Sequence, residues 1–189
     1  MTRPWPCKRN RLCPTGNDRK QTFLDKFRPS VYHHIRKRNP TEEDPVVYLD
    51  DLNTSMTFDL PEVPISKERI LKFAKTYDPF RLHYDEDYAK TTRYGQLVAP
   101  GVMSFMSVWA KFMELDFFGE ELIAGKSTKI EWFKPVFAGD TLKGSARITN
   151  ITPRNAHNGI AELTIEIRNQ HGELVLTDVT ESVVKRKAG

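Results

Sequence analysis

The chain has 189 residues and a formal net charge of +4, with 39% hydrophobic and 11% aromatic residues. This length favours one domain plus at most a tail, and the composition is typical of a globular domain rather than of a disordered or fibrous chain. No stretch approaches the roughly 18 consecutive apolar residues of a membrane helix, and the N-terminus lacks the apolar core of a secretory signal. We therefore expect a cytoplasmic protein without a membrane span.

The basic charge is concentrated at the N-terminus. Residues 1–45 contain 11 Lys/Arg and 5 Asp/Glu, which leaves 29 − 11 = 18 basic and 25 − 5 = 20 acidic residues for 46–189. We interpret 1–45 as a flexible basic extension and 46–189 as the folded domain, because the patterned apolar segments begin after Pro45. A basic tail can attract nucleic acid, but this one is too rich in proline for a helix-turn-helix, so we do not expect nucleic-acid binding.

Both cysteines, Cys7 and Cys13, lie in the extension, as do His33 and His34. Two cysteines with five residues between them, together with adjacent histidines, do not match the usual ligand spacing of structural zinc. We expect neither a disulfide framework nor a bound metal.

Three helices are predicted in the first half of the domain. Ser66 can cap the first, whose buried face is formed at i, i+3, i+4 and i+7 by Ile70, Phe73, Ala74 and Tyr77. Proline at 79 ends it, and a short helix follows at 86–92. From Gly101 to about residue 116 the chain is apolar around nearly the whole circumference, which predicts a helix buried on most sides with Trp109 and Phe112 as structural residues.

The second half of the domain alternates between apolar and polar residues, as strands with one buried face do. The pattern is found at 129–132, 142–149 and 161–168; a last strand is predicted at 174–185 and an early one near 56–60. About five strands therefore accompany one apolar helix. The economical packing is an α+β fold in which an antiparallel sheet curls around the central hydrophobic helix.

Asp78 and His83 are the candidate catalytic residues. They are five residues apart across a segment broken by Pro79, and a turn there can bring a carboxylate and an imidazole to one point. With a water between them, they could act as the acid and base that add or remove H and OH across a double bond. An Asp before Pro is also a common turn former, and a lone His is often structural, so this alternative stays open.

The start of the apolar helix is the second candidate element. The first N–H groups of a helix lack internal partners and point outward with the positive end of the dipole, which suits an oxyanion. Gly101 would allow a carbonyl to approach the backbone closely. The alternative is that Pro100 and Gly101 only form the turn into the helix.

Three segments resemble the MaoC-like dehydratase and (R)-specific enoyl-CoA hydratase family, whose members have the hot-dog fold. They are 73–85 (FAKTYDPFRLHYD), 97–101 (LVAPG) and 133–142 (FKPVFAGDTL). The resemblance extends over about residues 48–184. Ordered matches at several places are more specific than any single motif.

The resemblance implies a homodimer that binds an acyl-CoA or acyl-carrier-protein thioester between its subunits. Asp78 and His83 match the catalytic pair that holds the water, and Gly101 matches the glycine whose N–H polarises the thioester carbonyl. Pro100, Val102 and Phe80 are expected substrate contacts. Many relatives have His or Ser where this chain has Pro100. Because proline has no polar side chain, the preferred length of the acyl chain and the competence for hydration are the properties that this departure from the family pattern affects.

The leading hypothesis is therefore a hydro-lyase that interconverts a 2-enoyl thioester and a 3-hydroxyacyl thioester. The reaction is expected to need no metal and no organic cofactor apart from the CoA or carrier group on the substrate. Two alternatives are an acyl-CoA thioesterase and a non-catalytic acyl-CoA-binding module. The spacing of the Asp–His pair favours hydration over hydrolysis.

Overall fold

The computed structural model describes residues 46–187, so the predictions for the N-terminal extension, its cysteines and its histidines lie outside it. Within the described residues, the helices are α1 (Lys67–Tyr77), α2 (Arg81–Tyr84), α3 (Glu86–Thr91) and α4 (Gly101–Met113). The strands are β1 (Thr57–Asp59), β2 (Val63–Pro64), β3 (Leu122–Trp132), β4 (Thr141–Pro153), β5 (Asn158–Arg168) and β6 (Leu174–Lys185). Two 3₁₀ turns lie at Leu49–Asp51 and Gly119–Glu121.

The strands form an antiparallel sheet in the order β1-β4-β5-β6-β3, and β2 pairs with β4. The predicted alternation is confirmed at 142–148 in β4 and at 161–167 in β5, where every second residue is buried, and the predicted last strand is β6. The prediction of about five strands missed β2, because two residues are too few to show a period. This sheet and the helix α4 confirm the α+β hot-dog prediction.

The central helix α4 packs against β4 at a point where the strand has no side chain. A Cβ on Gly144 would collide with the side chains of Val108 and Leu60, so glycine lets the helix approach the sheet closely. Phe112 is buried in the core, with its ring against Phe58 at 5.5 Å. Trp109 is partly buried and packs against this core.

The prediction that α4 is buried on most sides is wrong for one face. Val102, Met106 and Met113 remain 47%, 45% and 42% exposed, because the sheet covers only the opposite side of the helix in a single chain. The helix also ends at Met113 rather than near residue 116. Asp116 has φ of 48°, a left-handed conformation that cannot continue an α-helix.

Two apolar residues predicted to be buried are exposed. Tyr77 is 74% exposed because the last turn of α1 carries it to the surface, where its ring lies 5.1 Å from that of Phe73. Trp132 is 51% exposed because β3 is an edge strand that pairs only with β6 among the described strands. Alternation predicts two faces of a strand, but it does not predict whether another element covers the apolar one.

The inner face of β6 contains a buried carboxyl group. Asp178 is fully buried, its Oδ2 accepts a hydrogen bond from Thr180 Oγ1 at 2.9 Å, and its Oδ1 has no partner within residues 46–187. Its cross-strand neighbours, Ile130 and Ile165, are apolar. Burial therefore raises the pKa of Asp178 to about 6, and the hydrogen bond from Thr180 opposes this only in part.

Candidate active site

Asp78 lies at the point where the chain leaves α1. Ser66 caps the start of this helix by accepting the Arg69 amide at 3.3 Å, as predicted. At the other end, the Asp78 amide donates to Ala74 O at 3.0 Å, and the following proline prevents another helical turn. The Asp78 side chain is left 41% exposed and free of the helix.

His83 approaches Asp78 because the segment between them is a tight connection followed by the single-turn helix α2. The Phe80 amide donates to Asp78 O at 2.8 Å, and the His83 amide donates to Phe80 O at 2.9 Å. These bonds place His83 Nε2 3.5 Å from Asp78 Oδ2. The predicted convergence of the two side chains is confirmed; the turn also contains the short helix α2, which was not predicted from the sequence.

The hydrogen bond of the other ring nitrogen defines the tautomer of His83. Its Nδ1 lies 2.7 Å from Val98 O. A carbonyl oxygen only accepts, so Nδ1 carries the proton and, in the neutral ring, Nε2 presents a lone pair towards Asp78. Two acceptors 3.5 Å apart do not bond to each other, but a water beside both can donate to each.

The segment before α4 is held from two sides. The Val98 amide donates to Leu82 O at 3.3 Å, and Val98 forms an isolated bridge with Phe137. The Ala99 amide donates to Val136 O at 2.8 Å. Since Gly101 follows Val98 by three residues, the chain between them spans at most about 11 Å, and the helix start lies at the same end of the molecule as His83.

The first turn of α4 presents free backbone donors. Pro100 is the N-cap and supplies no side-chain hydrogen bond, while the Ser104 amide donates to Pro100 O at 3.1 Å. The amides of Gly101 and Val102 therefore have no capping acceptor in the described part of the chain. Together with the positive end of the helix dipole, these amides stabilise a partial negative charge at the helix start.

The structure gives a second reason for glycine at position 101. A Cβ there would lie 2.5 Å from Nε1 and 2.8 Å from Cε2 of Trp132, so the indole occupies the space that any other residue would fill. From the sequence, Gly101 is explained either by the approach of a ligand or by the turn into the helix, and its contact with Trp132 is not predicted. Strand alternation placed this residue on a buried face and gave no sign that it meets the helix start.

The remaining predicted substrate contacts surround these groups. Phe80 is 54% exposed and meets the His83 ring edge-on at 5.5 Å between centroids. Val102 is exposed beside Gly101, whereas Pro100 is buried. Asp78, His83 and Phe80 therefore lie close together. Pro100 is buried as the N-cap of α4 and does not offer its side chain to a ligand.

An open groove of about 460 Å³ runs between α1 and α4. Its lining is mostly apolar, with two cations on the α1 side; the residues are Arg69, Lys72, Phe73, Thr76, Tyr77, Met103, Met106, Ser107 and Ala110. Arg69 is fixed by hydrogen bonds to Pro64 O at 2.9 Å and to Ser107 Oγ at 3.2 Å. The groove begins one residue before Asp78 on α1 and two residues after Gly101 on α4.

Residues 46–187 show neither a metal-binding cluster nor a membrane-spanning helix. No group of three or more His, Cys, Asp or Glu side chains in this range is arranged to hold a metal ion. None of the helices formed by these residues is both long and apolar enough to cross a bilayer.

A helix wrapped by an antiparallel sheet, with an Asp–His pair beside the start of that helix, defines a hot-dog domain of the dehydratase type. Residues 54–178 match the family described as the FAS1-like dehydratase domain region. The match extends over well over half of the 189 residues. The chain therefore belongs to this family of MaoC-like dehydratases and hydratases.

The chain is also similar to individual proteins. A MaoC-like dehydratase from Rhodospirillum rubrum is 27% identical, with a TM-score of 0.65 over 76% of this chain and 99% of that one. The (R)-hydratase of A. caviae involved in PHA biosynthesis is 26% identical, with a TM-score of 0.57 over 72% and 98% of the two chains. The uncharacterized protein YdeM of Bacillus subtilis (strain 168) is 26% identical over 139 residues, which are 73% of this chain and 99% of YdeM.

Proposed function

We propose that this protein is a hydro-lyase that adds water to, or removes it from, the 2,3 double bond of an enoyl thioester. The observation that supports this most strongly is the Asp78–His83 pair, with Nε2 and Oδ2 3.5 Å apart and the imidazole oriented by Val98 O. One water can contact both groups at once. The family and its hydratase members support the reaction class.

In the hydration direction, His83 Nε2 accepts a proton from the water as the water oxygen bonds to C3. The electrons of the double bond move through C2 onto the thioester oxygen, and the Asp78–His83 pair returns a proton to C2. The net change is the addition of one H and one OH. The dehydration direction reverses each step, and no oxidant, metal or organic cofactor is consumed.

The thioester oxygen becomes negative during this reaction, and the start of α4 is suited to stabilise it. The free amide of Gly101 and the helix dipole would place positive charge beside that oxygen. The apolar groove between α1 and α4 would accommodate part of the chain attached to the thioester. A CoA or a carrier-protein group would form the remainder of the substrate.

Absorbance of a panel of 2-enoyl-CoA substrates tests this proposal, because hydration removes the conjugated double bond. We expect absorbance loss without release of free thiol, at a rate about 10²–10⁴-fold lower with the Asp78→Asn variant. Thiol release would instead identify a thioesterase. Saturable binding with neither change would identify an acyl-CoA-binding module and refute the hydro-lyase proposal.

We also propose that the protein acts as a homodimer. β3 is an exposed edge strand, and the exposed stripe of Val102, Met106 and Met113 lies on the central helix. An unpaired edge and an apolar stripe on one molecule favour pairing with a second copy. Sedimentation of the intact chain should give twice the mass of 21.9 kDa, and a monomer at micromolar concentration would contradict the proposal.

A further inference from the structure

We propose that the indole N–H of Trp132 is the second hydrogen-bond donor to the substrate's thioester oxygen, acting beside the Gly101 amide. This inference rests on the proposed function and adds a residue to its oxyanion site. Trp132 is the last residue of the edge strand β3, so it reaches the start of α4 from a part of the chain that is distant in sequence from Asp78 and His83.

The distance between the two donors follows from covalent geometry. The indole Nε1 is 2.5 Å from the position that a Cβ on Gly101 would occupy. A Cβ lies about 2.5 Å from the amide nitrogen of its own residue, so the two nitrogens are no more than about 5 Å apart. Two hydrogen bonds of about 2.9 Å to one oxygen can join donors up to about 5.8 Å apart, so one oxygen can accept from both.

The direction of approach also suits a shared acceptor. In an α-helix the Cα–Cβ bond is tilted towards the N-terminus, which is also the direction in which the free amides of the first turn point. The indole therefore lies on the side of Gly101 where a ligand of these amides would bind. An indole nitrogen only donates, so it cannot compete with an oxyanion for the amide proton.

The indole N–H is also available. Trp132 is 51% exposed, and its Nε1 has no hydrogen-bond acceptor within residues 46–187. Pro100 supplies no polar side chain at the helix start, so the N-cap of α4 adds no side-chain hydrogen-bond donor to the backbone amides. Trp132 would provide that donor from β3.

The Trp132→Phe variant tests the inference, because it keeps an aromatic ring over Gly101 and removes only the N–H group. Loss of one oxyanion donor typically lowers kcat by about 10²–10³-fold, and we expect a loss of about 10²-fold for hydration of an enoyl-CoA with KM changed much less. Trp109→Phe is the matched control, since it makes the same change on the partly buried face of α4. Hydration by Trp132→Phe at the wild-type rate would overturn the inference.

A spectroscopic measurement separates this inference from the proposed function. Infrared difference spectra of butanoyl-CoA labelled with ¹³C at the carbonyl report hydrogen bonding to that oxygen without any turnover. We expect the carbonyl band to move to lower frequency on wild-type protein and to move less on Trp132→Phe. If no enoyl-CoA is hydrated, the hydro-lyase proposal fails, but a carbonyl band shift that depends on Trp132 still supports the donor role of Trp132. A carbonyl frequency that is the same on wild-type protein and on Trp132→Phe refutes the donor role.

Discussion

Replacing Asp178 by Asn should stabilise the fold at neutral pH and much less in acid. The carboxyl is fully buried on the inner face of β6, with one oxygen unpartnered in the described part of the chain and apolar cross-strand neighbours. Its pKa is raised from the ordinary 3.8 to about 6 by this burial. Asparagine has nearly the same shape and cannot ionise.

The sign and size of the effect follow from proton linkage. Below about pH 3 the carboxyl is neutral in both the folded and the unfolded chain. Between about pH 4 and 6 the unfolded chain loses this proton first, so the stability of the wild type falls as pH rises and then levels off. A pKa raised from 3.8 to about 6 corresponds to about 3 kcal/mol at neutral pH, or about 10 °C in Tm for a domain of this size.

Denaturant unfolding of wild type and Asp178→Asn at a series of pH values between 4 and 8 measures this difference directly. Only the pH-dependent part is diagnostic, since any constant cost of the amide cancels along the series. Asp59→Asn, at an exposed position of β1, controls for the loss of one carboxylate. A stability difference that is constant from pH 4 to 8 would show that Asp178 is not held in an unfavourable environment.

Three further predictions concern packing and domain limits. Phe112→Ala should lower the unfolding free energy by about 3–5 kcal/mol in urea titrations, and a fully stable variant would contradict its place in the core. Gly144→Ala should lower the unfolding free energy by about 1–3 kcal/mol, because its methyl group meets Val108 and Leu60. The control Gly125→Ala, with nothing within 4 Å of the new methyl group, should lower it much less. Equal losses of unfolding free energy in the two variants would refute the close approach of α4 to β4. Deletion of 1–45 should leave Tm and oligomeric mass unchanged, and a monomeric or insoluble product would show that the extension belongs to the fold.

The sequence predicted the parts of the fold that depend on local periodicity. A 3.6-residue period follows the cap at Ser66, and a 2-residue period is present at 142–149 and 161–168; the structure confirms the cap, the helix α1 and the strands β4 and β5. It did not predict β2, which is too short for a period. Nor could it show that Tyr77 and Trp132 are exposed, because exposure depends on which elements cover a face.

The candidate site was predictable only where it is local in sequence. Asp78 and His83 are close along the chain, and the proline between them indicated a turn; their catalytic role stays a prediction. Trp132 joins the site from a distant strand, so only the tertiary structure brings it to Gly101. Asp178 appears in sequence merely as a polar residue at an inward strand position, and nothing local reveals that one of its oxygens is unpartnered in the described part of the chain.

The most direct test of the account is a double-mutant cycle on the two residues proposed to hold one water. We expect Asp78→Asn, His83→Ala and the double variant each to lose about 10²–10⁴-fold in hydration rate, with nearly equal losses, because neither group alone can keep the water in line with C3. Asp78→Asn should change the melting temperature little, since that side chain is 41% exposed. His83→Ala should cost about 1–3 kcal/mol of stability, since His83 is 12% exposed and bonded to Val98 O, which is far too little to unfold the protein in the assay. Losses that multiply in the double variant, or a loss of stability that matches the loss of rate, would contradict the claim that Asp78 and His83 act together on one water.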